Sequence, residues 1–144
     1  MTANSNRRHG LKNEGEFVSW LRARGHMAIH LSPSHSAGDV VAWIHGACFI
    51  FETKRVRGTR YRFSKNPAQH QALIDLAFRL EGRAQVWYAI SFLKPDNSIV
   101  TRFCLPGAWD RKSLAIDEGI SWEQMGLDDL VQTGAEPRPP RGAV

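Results

Sequence analysis

The chain has few of the features that mark secreted or membrane proteins. Its 144 residues include only two cysteines, Cys48 and Cys104, which excludes a disulfide framework. No apolar run approaches the ~18 residues that a membrane span requires, and the N-terminal residues contain no apolar signal region. We therefore expect a cytoplasmic protein without membrane association, in which both cysteines are small buried hydrophobes.

The charge is distributed unevenly along a chain whose length and composition fit one globular domain. The formal net charge is +5, but residues 105–144 carry −3 and residues 1–104 carry +8. The positive excess lies in an N-terminal arm and in the run KRVRGTRYRFSK. The basic residues concerned are Arg7, Arg8, Lys12, Lys54, Arg55, Arg57, Arg60, Arg62 and Lys65. Such clustering favours binding to nucleic-acid phosphates, although a solvated basic loop would give the same pattern.

The hydrophobic pattern predicts an α/β fold. Helical periodicity covers about residues 13–24 and 67–80, and strand-like runs cover residues 27–31, 38–44, 47–54, 84–93 and 98–105. We expect the basic run to be a loop and residues 121–132 to contain a short helix. The predicted organisation is a flexible basic arm over residues 1–10, one domain over residues 11–132, and a disordered tail over residues 133–144. Five strands and flanking helices predict a central mixed sheet.

One predicted hairpin brings acidic residues together. If His45 and Gly46 form a two-residue turn, Ile44 pairs with Ala47, and Asp39 then lies opposite Glu52. Opposed residues share a face with Cβ atoms about 5 Å apart, and Lys54, two residues further on, shares that face. An isolated Glu-x-Lys on a strand is mostly surface decoration, but an opposed Asp makes a functional site the better interpretation.

The chemistry of this group indicates a divalent cation. Two adjacent carboxylates repel each other when both are ionised, and a cation between them relieves the repulsion. Oxygen-only ligands suit Mg²⁺, which supports phosphodiester hydrolysis. Glu14 joins the group, because it shares the apolar stripe of the first helix with Phe17. An early-helix acid favoured by the helix dipole is the alternative interpretation of Glu14.

These motifs resemble the PD-(D/E)XK nuclease pattern. GDVVA contains Asp39 and FETK contains Glu52 and Lys54. Within that superfamily the chain resembles the archaeal-type Holliday junction resolvases (Hjc) over about residues 8–132. The shared features are G-x-x-x-E before a helix ending in R-G, a serine-rich loop before the Asp, the E-x-K strand, a Gln-bearing helix and a late GLDDLV segment. FSKNPAQHQ is also similar to RecU-type resolvases. Gly38 stands where the superfamily has proline.

The resemblance implies a role for each matching residue. Asp39 and Glu52 would be the main metal ligands, the Thr53 carbonyl a third, and Glu14 would complete the site. Lys54 would be the catalytic lysine. Ser34 matches a loop serine, with Ser32 and Ser36 as alternatives, and Gln69 matches the helix glutamine, with Gln71 as the alternative. The metal would be Mg²⁺, with Mn²⁺ as a substitute, and no small-molecule cofactor is implied.

The function implied is a structure-selective endonuclease with a restriction-endonuclease-like fold. A homodimer would resolve four-way DNA junctions by paired symmetric nicks, and the basic residues would contact the backbone. One alternative is a restriction-like or repair nuclease acting on linear or branched DNA. The other is a non-catalytic DNA-binding module. We expect a DNA-associated protein, and an archaeal and a viral source fit equally well.

Overall fold

The computed structural model describes residues 14–31, 38–106 and 112–128. Arg7, Arg8, Lys12 and Ser34 lie outside these ranges, as do the predicted arm and tail. Within them, helix α1 covers residues 14–23. The strands of the main sheet are β1 (Met27–His30), β2 (Val40–Ile44), β3 (Ala47–Arg57), β5 (Ala84–Leu93) and β6 (Ile99–Cys104). Helix α2 is Pro67–Arg79 and helix α3 is Trp122–Met125.

The main sheet is mixed, as the sequence predicts. Its order is β1-β2-β3-β5-β6, and only the β3–β5 pair is parallel. Strands β2 and β3 form the predicted hairpin, in which Ile44 pairs with Ala47. His45 and Gly46 have φ values of 52° and 80°, because a two-residue turn that matches strand twist needs positive φ at both positions.

Two hydrophobic cores cover the two faces of this sheet. On one face, Val18 and Leu21 of α1 pack with Phe49 and Phe51. On the other face, Leu73 of α2 packs with the buried side chains of Ile50, Tyr61, Tyr88 and Ile90. Alternate residues of β3 therefore enter opposite cores, as expected for a strand buried on both faces. Cys104 is buried as predicted, whereas Cys48 is only half-buried.

The expectation that the basic run forms a loop is wrong. Strand β3 continues to Arg57, and Arg60–Arg62 forms strand β4, which pairs with β7 (Ser113–Ala115) in a second, two-stranded sheet. A 3₁₀ turn, Phe63–Lys65, follows. Tyr61 and Phe63 bury their rings in the second core, and this burial fixes a segment whose charge had suggested a solvated loop. No helix in the described part of the chain is long and apolar enough to cross a membrane.

The acidic C-terminal region contributes a clasp that holds three elements together. The Asp128 carboxylate accepts hydrogen bonds from Trp122 Nε1 at 2.7 Å and from Arg24, and lies 3.1 Å from His26 Nε2. His45, in the β2–β3 turn, bonds to the Leu127 carbonyl. Burial alone would raise the pKa of Asp128, but the bonds from Trp122 and His26 and the charge of Arg24 together lower it.

Replacing Asp128 with Asn should destabilise the protein by about 1–3 kcal/mol at pH 7, because charge-assisted bonds are lost. The lowered pKa means that the carboxylate stabilises the folded state above the unfolded value of about 4 and loses this effect as the pH falls. Urea unfolding at pH 7 and at pH 3.5 measures both effects. An Asp75→Asn variant, whose partner Gln71 is exposed, is the control. Equal stability of Asp128→Asn and wild type at pH 7 would contradict the clasp.

Candidate active site

The predicted acidic group is present where the β2–β3 hairpin meets α1. The register runs as far as Val40 opposite Phe51, and the Asp39 N–H then donates to the Phe51 carbonyl at 2.8 Å. The predicted proximity of the two carboxylates is present, because the charge of Asp39 acts on Glu52. One Asp39 oxygen accepts bonds from the Thr53 N–H at 2.9 Å and from Thr53 Oγ1 at 3.1 Å. These bonds hold the carboxylate against β3. Thr53 thus contacts Asp39 through its N–H and its hydroxyl. The metal-binding role of the Thr53 carbonyl remains a prediction.

Glu52 is a carboxylate in an unfavourable environment. Its side chain is 2% exposed, and its Oε1 accepts a 3.0 Å bond from the Gly38 N–H. Burial, followed by the negative charge of Asp39, raises the pKa of Glu52 to about 8, although Lys54 and the Gly38 N–H act in the opposite direction. Such a group is ionised at neutral pH only when positive charge is supplied, and this is typical of a functional site.

Gly38 explains why proline is absent before Asp39. Its φ is +100°, and a Cβ at this position would lie 2.7 Å from Ile50 Cγ2. Proline has a φ near −65° and no N–H, so it could neither adopt this conformation nor donate to Glu52. Glycine in place of proline at position 38 therefore allows a backbone hydrogen bond to Glu52 that proline could not donate.

Glu14 lies at the start of the described part of α1 and faces the same group. Burial, followed by the charge of Asp39 and a hydrogen bond with it, raises the pKa of Glu14 to about 7, while Lys54 lowers it. His30 Nδ1 lies 3.9 Å from the Glu14 carboxylate. Three carboxylates, from α1, from the residue before β2 and from β3, thus influence one another, as their sequence positions suggest.

Lys54 is the positive member of the group. Its Nζ lies 3.4 Å from Glu52 Oε2 and donates a hydrogen bond to Gln69 Oε1, in the first turn of α2. Gln71, the alternative to Gln69, bonds instead to Asp75 on the exposed side of the helix. The structure therefore brings Gln69 to the group and places Gln71 away from it.

The donor set fits a hard divalent cation. Oxygen atoms dominate the group, and Mg²⁺ typically binds through one or two carboxylates while keeping several waters. Among residues 14–31, 38–106 and 112–128, no three His, Cys, Asp or Glu side chains are arranged closely enough to hold a metal ion by themselves. Asp39 and Glu52 would therefore be the core of the site, with further ligands from water or substrate.

The predicted DNA-binding residues occupy different environments. The exposed ones lie between the end of β3 and the 3₁₀ turn, and they are Arg57, Arg60, Arg62 and Lys65. Arg55 differs, because its side chain is only 14% exposed and pairs with Glu16 of α1 at 3.2 Å. Alternation along β3 places Arg55 on the face opposite Lys54. Its Nε has no hydrogen-bond partner among the described residues.

Sequence reasoning did not identify several groups that contact the site residues. These are the Gly38 N–H, the Asn66 cap of α2, and the pair formed by His70 and Tyr88. The Asn-Pro signal at residues 66–67 marks a helix start and indicates the cap. Nothing in the local sequence pattern indicates the bond between His70 and Tyr88, which lie 18 positions apart.

Comparisons with known proteins identify the fold and the family of the chain. No curated protein sequence matches the chain. The structure is similar to that of Archaeoglobus fulgidus Hjc, a Holliday junction resolvase from an archaeal hyperthermophile. The TM-score is 0.57 at 20% identity, over 76% of this chain and 88% of the other, which supports the restriction-endonuclease-like fold. The profile of the archaeal Holliday junction resolvases (hjc) matches residues 5–138. The chain therefore belongs to the archaeal Holliday junction resolvase family, whose members are nucleases that resolve four-way DNA junctions.

Proposed function

We propose that this resolvase cuts junctions with Mg²⁺ held mainly by Asp39 and Glu52, with Mn²⁺ as a substitute. Glu14 and the Thr53 carbonyl would complete the site. The observation that carries the proposal is the nearly complete burial of Glu52 beside Asp39, where Lys54 is the one cation that acts on it among the described residues. Burying two neighbouring carboxylates is costly, and a bound divalent cation would offset that cost.

The residues of the chain would divide the work of phosphodiester hydrolysis. When bound, Mg²⁺ supplies charge stabilisation and lowers the pKa of water. Lys54, held between Glu52 and Gln69, would bind the scissile phosphate or orient the attacking water. Two residues hold the carboxylates in place. The N–H and the hydroxyl of Thr53 donate to Asp39, and the N–H of Gly38 donates to Glu52.

A homodimer is part of the proposal. A four-way junction has approximate two-fold symmetry, and a C2 dimer presents two equivalent sites to it. Paired symmetric nicks would follow, one from each protomer. Selection would depend on junction shape and phosphate contacts more than on base edges. Membership of a resolvase family supports this over a nuclease for linear DNA or a non-catalytic binding module.

Asp39→Asn should retain junction binding and lose at least about 100-fold in cleavage, because metal charge stabilisation contributes several kcal/mol. Lys54→Ala should also bind and fail to cut. Gel shift in EDTA and single-turnover cleavage in Mg²⁺ separate the two steps, and a linear duplex of matched sequence is the substrate control. Cleavage by Asp39→Asn at nearly the wild-type rate would contradict the role of Asp39 as a metal ligand.

The same Asp39→Asn variant tests the dimer on a supercoiled plasmid that extrudes a cruciform. Wild-type protein should give linear product through paired nicks. Protein reassembled from equal amounts of wild type and Asp39→Asn should give additional nicked circles, since a mixed dimer cuts one strand. Mixing that leaves the proportion of nicked circles unchanged would contradict cooperation between two protomers.

Glu52→Gln should stabilise the metal-free protein at pH 8. A carboxyl whose folded-state pKa is raised above its unfolded value of about 4.5 destabilises the fold as the pH rises, and the full cost is present above about pH 8. In EDTA we expect a Tm gain of about 4 °C at pH 8, which corresponds to roughly 1 kcal/mol or more, and little gain at pH 4.5. Thermal melts followed by circular dichroism measure it.

Adding Mg²⁺ should reverse this order of stability. Wild type should gain Tm with increasing Mg²⁺, because the ion binds the folded state, whereas Glu52→Gln should respond weakly. Na⁺ at equal ionic strength is the control for general screening. A Tm of wild type that is insensitive to Mg²⁺ would contradict a site at Glu52.

Replacing Arg60 and Arg62 together with Ala should weaken junction binding and its salt dependence. Each phosphate contact contributes about 0.9 to the slope of log K against log salt, so two contacts contribute roughly 1.8. Fluorescence anisotropy between 50 and 300 mM salt, roughly the range in which counterion release dominates, measures the slope. Arg79→Ala, which removes an exposed arginine from the last turn of α2, is the matched control. An unchanged slope in the double variant would place the interface elsewhere.

A further inference from the structure

The amino group of Lys54 depends on an element other than its own strand. Lys54 is on β3, but its hydrogen-bond acceptor, Gln69 Oε1, is in the first turn of α2. A lysine side chain has four rotatable bonds, so the strand alone does not fix where its amino group lies. The amino group is thus held between Glu52, on its own strand, and the first turn of α2.

Besides its bond to Lys54, the first turn of α2 makes two further side-chain hydrogen bonds in the described part of the chain. Asn66 caps the helix, because its side chain accepts the Gln69 N–H at 3.2 Å, but this contact is exposed and local. The second contact is non-local: His70 Nδ1 lies 2.7 Å from the Tyr88 hydroxyl of β5. His70 directly follows Gln69, so this bond ties the glutamine's own turn to the central sheet.

Both partners of this bond are neutral near pH 7, because burial lowers the pKa of His70 and raises that of Tyr88. The bond forms in either tautomer of the imidazole, since the Tyr88 hydroxyl can donate to Nδ1 or accept from it. The Phe63 ring stacks on His70 at a centroid distance of 4.9 Å and an interplanar angle of 23°, which restricts the orientation of the imidazole.

Tyr88 is itself fixed beside the acidic group. It is 1% exposed and pairs with Glu52 in the parallel β3–β5 ladder. Paired residues on adjacent parallel strands project from the same face, so Tyr88 is the neighbour of Glu52 on the α2 side of the sheet. Tyr88 therefore contributes to the burial of Glu52 and also contacts α2, the helix whose Gln69 bonds to Lys54.

We propose that His70 and Tyr88 form a positioning clamp that sets the first turn of α2 and, through Gln69, the amino group of Lys54. The inference rests on the proposed function, because it assigns a purpose to the placement of Lys54. Neither residue contacts DNA or the reacting atoms in this scheme. Both act through Gln69 on the lysine.

The test removes the bond and keeps the ring. Tyr88→Phe should fold, since the aromatic core contact remains, and should lower the single-turnover rate at saturating junction and Mg²⁺ by about tenfold, as expected for a misplaced catalytic group. The Kd for the junction should stay within about twofold of wild type, because the basic surface is unchanged. A purely structural effect would lower Tm and weaken binding together.

Changes at His70 provide a rescue and a control. His70→Asn keeps an acceptor near the Nδ1 position and should restore much of the rate that His70→Leu loses. His70 is half-buried, so these variants also test the clamp if Tyr88→Phe does not fold. Gln71→Ala, next along the helix but directed at Asp75, should cleave at the wild-type rate. Equal rates for His70→Asn and His70→Leu would count against the clamp.

A double-mutant cycle with Gln69→Ala decides whether the clamp acts through Gln69. In the Gln69→Ala background, Tyr88→Phe should cause little further loss of rate, because the link to Lys54 is already broken. The inference would be overturned if the losses of rate in the two single variants were fully additive. It would also be overturned if either Tyr88→Phe or Gln69→Ala cleaved at the wild-type rate. Inactivity of Asp39→Asn in the same assays would show that the proposed metal-dependent function stands independently of this result.

Discussion

The burial of Glu52 beside Asp39 is the constraint on which the rest of the site depends. A carboxylate that is 2% exposed and raised in pKa to about 8 opposes folding unless its surroundings supply donors and positive charge. The structure supplies the Gly38 N–H and the Lys54 amino group. The left-handed backbone at Gly38 leaves its N–H free to donate to Glu52, and Lys54 also bonds to Gln69. The unfavourable burial of negative charge is therefore concentrated where the chemistry is proposed.

The acidic site and the contacts that stabilise the fold lie at opposite ends of the β2–β3 hairpin. Asp39 and Glu52 lie at the open end of the hairpin, and the His45–Gly46 turn lies about 20 Å away at the usual rise per strand residue. At the turn end, Asp128 joins Arg24, His26 and Trp122, while His45 bonds to the Leu127 carbonyl. The acidic C-terminal region that lowers the net charge thus has a structural role in its described part. This separation allows the acidic site to be unfavourable without unfolding the hairpin that carries it.

The parallel β3–β5 pair connects the two halves of the site. Strand β3 carries Glu52 and Lys54, and β5 carries Tyr88 as the register partner of Glu52. Helix α2 lies between these strands in the chain and packs on the same face through Leu73. A parallel pair needs a crossover of this kind, so the helix that supplies Gln69 is a requirement of the topology as well as of the chemistry. The exposed arginines of β4, which are the proposed phosphate contacts, follow the end of β3 in the chain.

Several features could be predicted from the sequence because they depend on local chemistry. Alternation and turn residues predicted the five strands and the His45–Gly46 hairpin, and the hairpin count predicted that Asp39 and Glu52 lie close together. Helical spacing placed Glu14 on the apolar face of α1. The strand–turn–strand form of residues 55–62 was not predictable, because β4 is held by pairing with β7, more than 50 positions away, and by burial of Tyr61. High local charge favours a loop only when no distant partner exists.

The sequence by itself determined which chemical groups are available and which of them share a strand, a turn or a helix face, since these follow from backbone periodicity. Only the tertiary structure decided which of two glutamines meets Lys54, which arginine of the basic run is turned toward Glu16, and that Tyr88 reaches His70. The physical reason is that these outcomes depend on how α1 and α2 pack against the sheet. Helix packing is set by the sum of many weak apolar contacts, and no short segment of sequence encodes that sum.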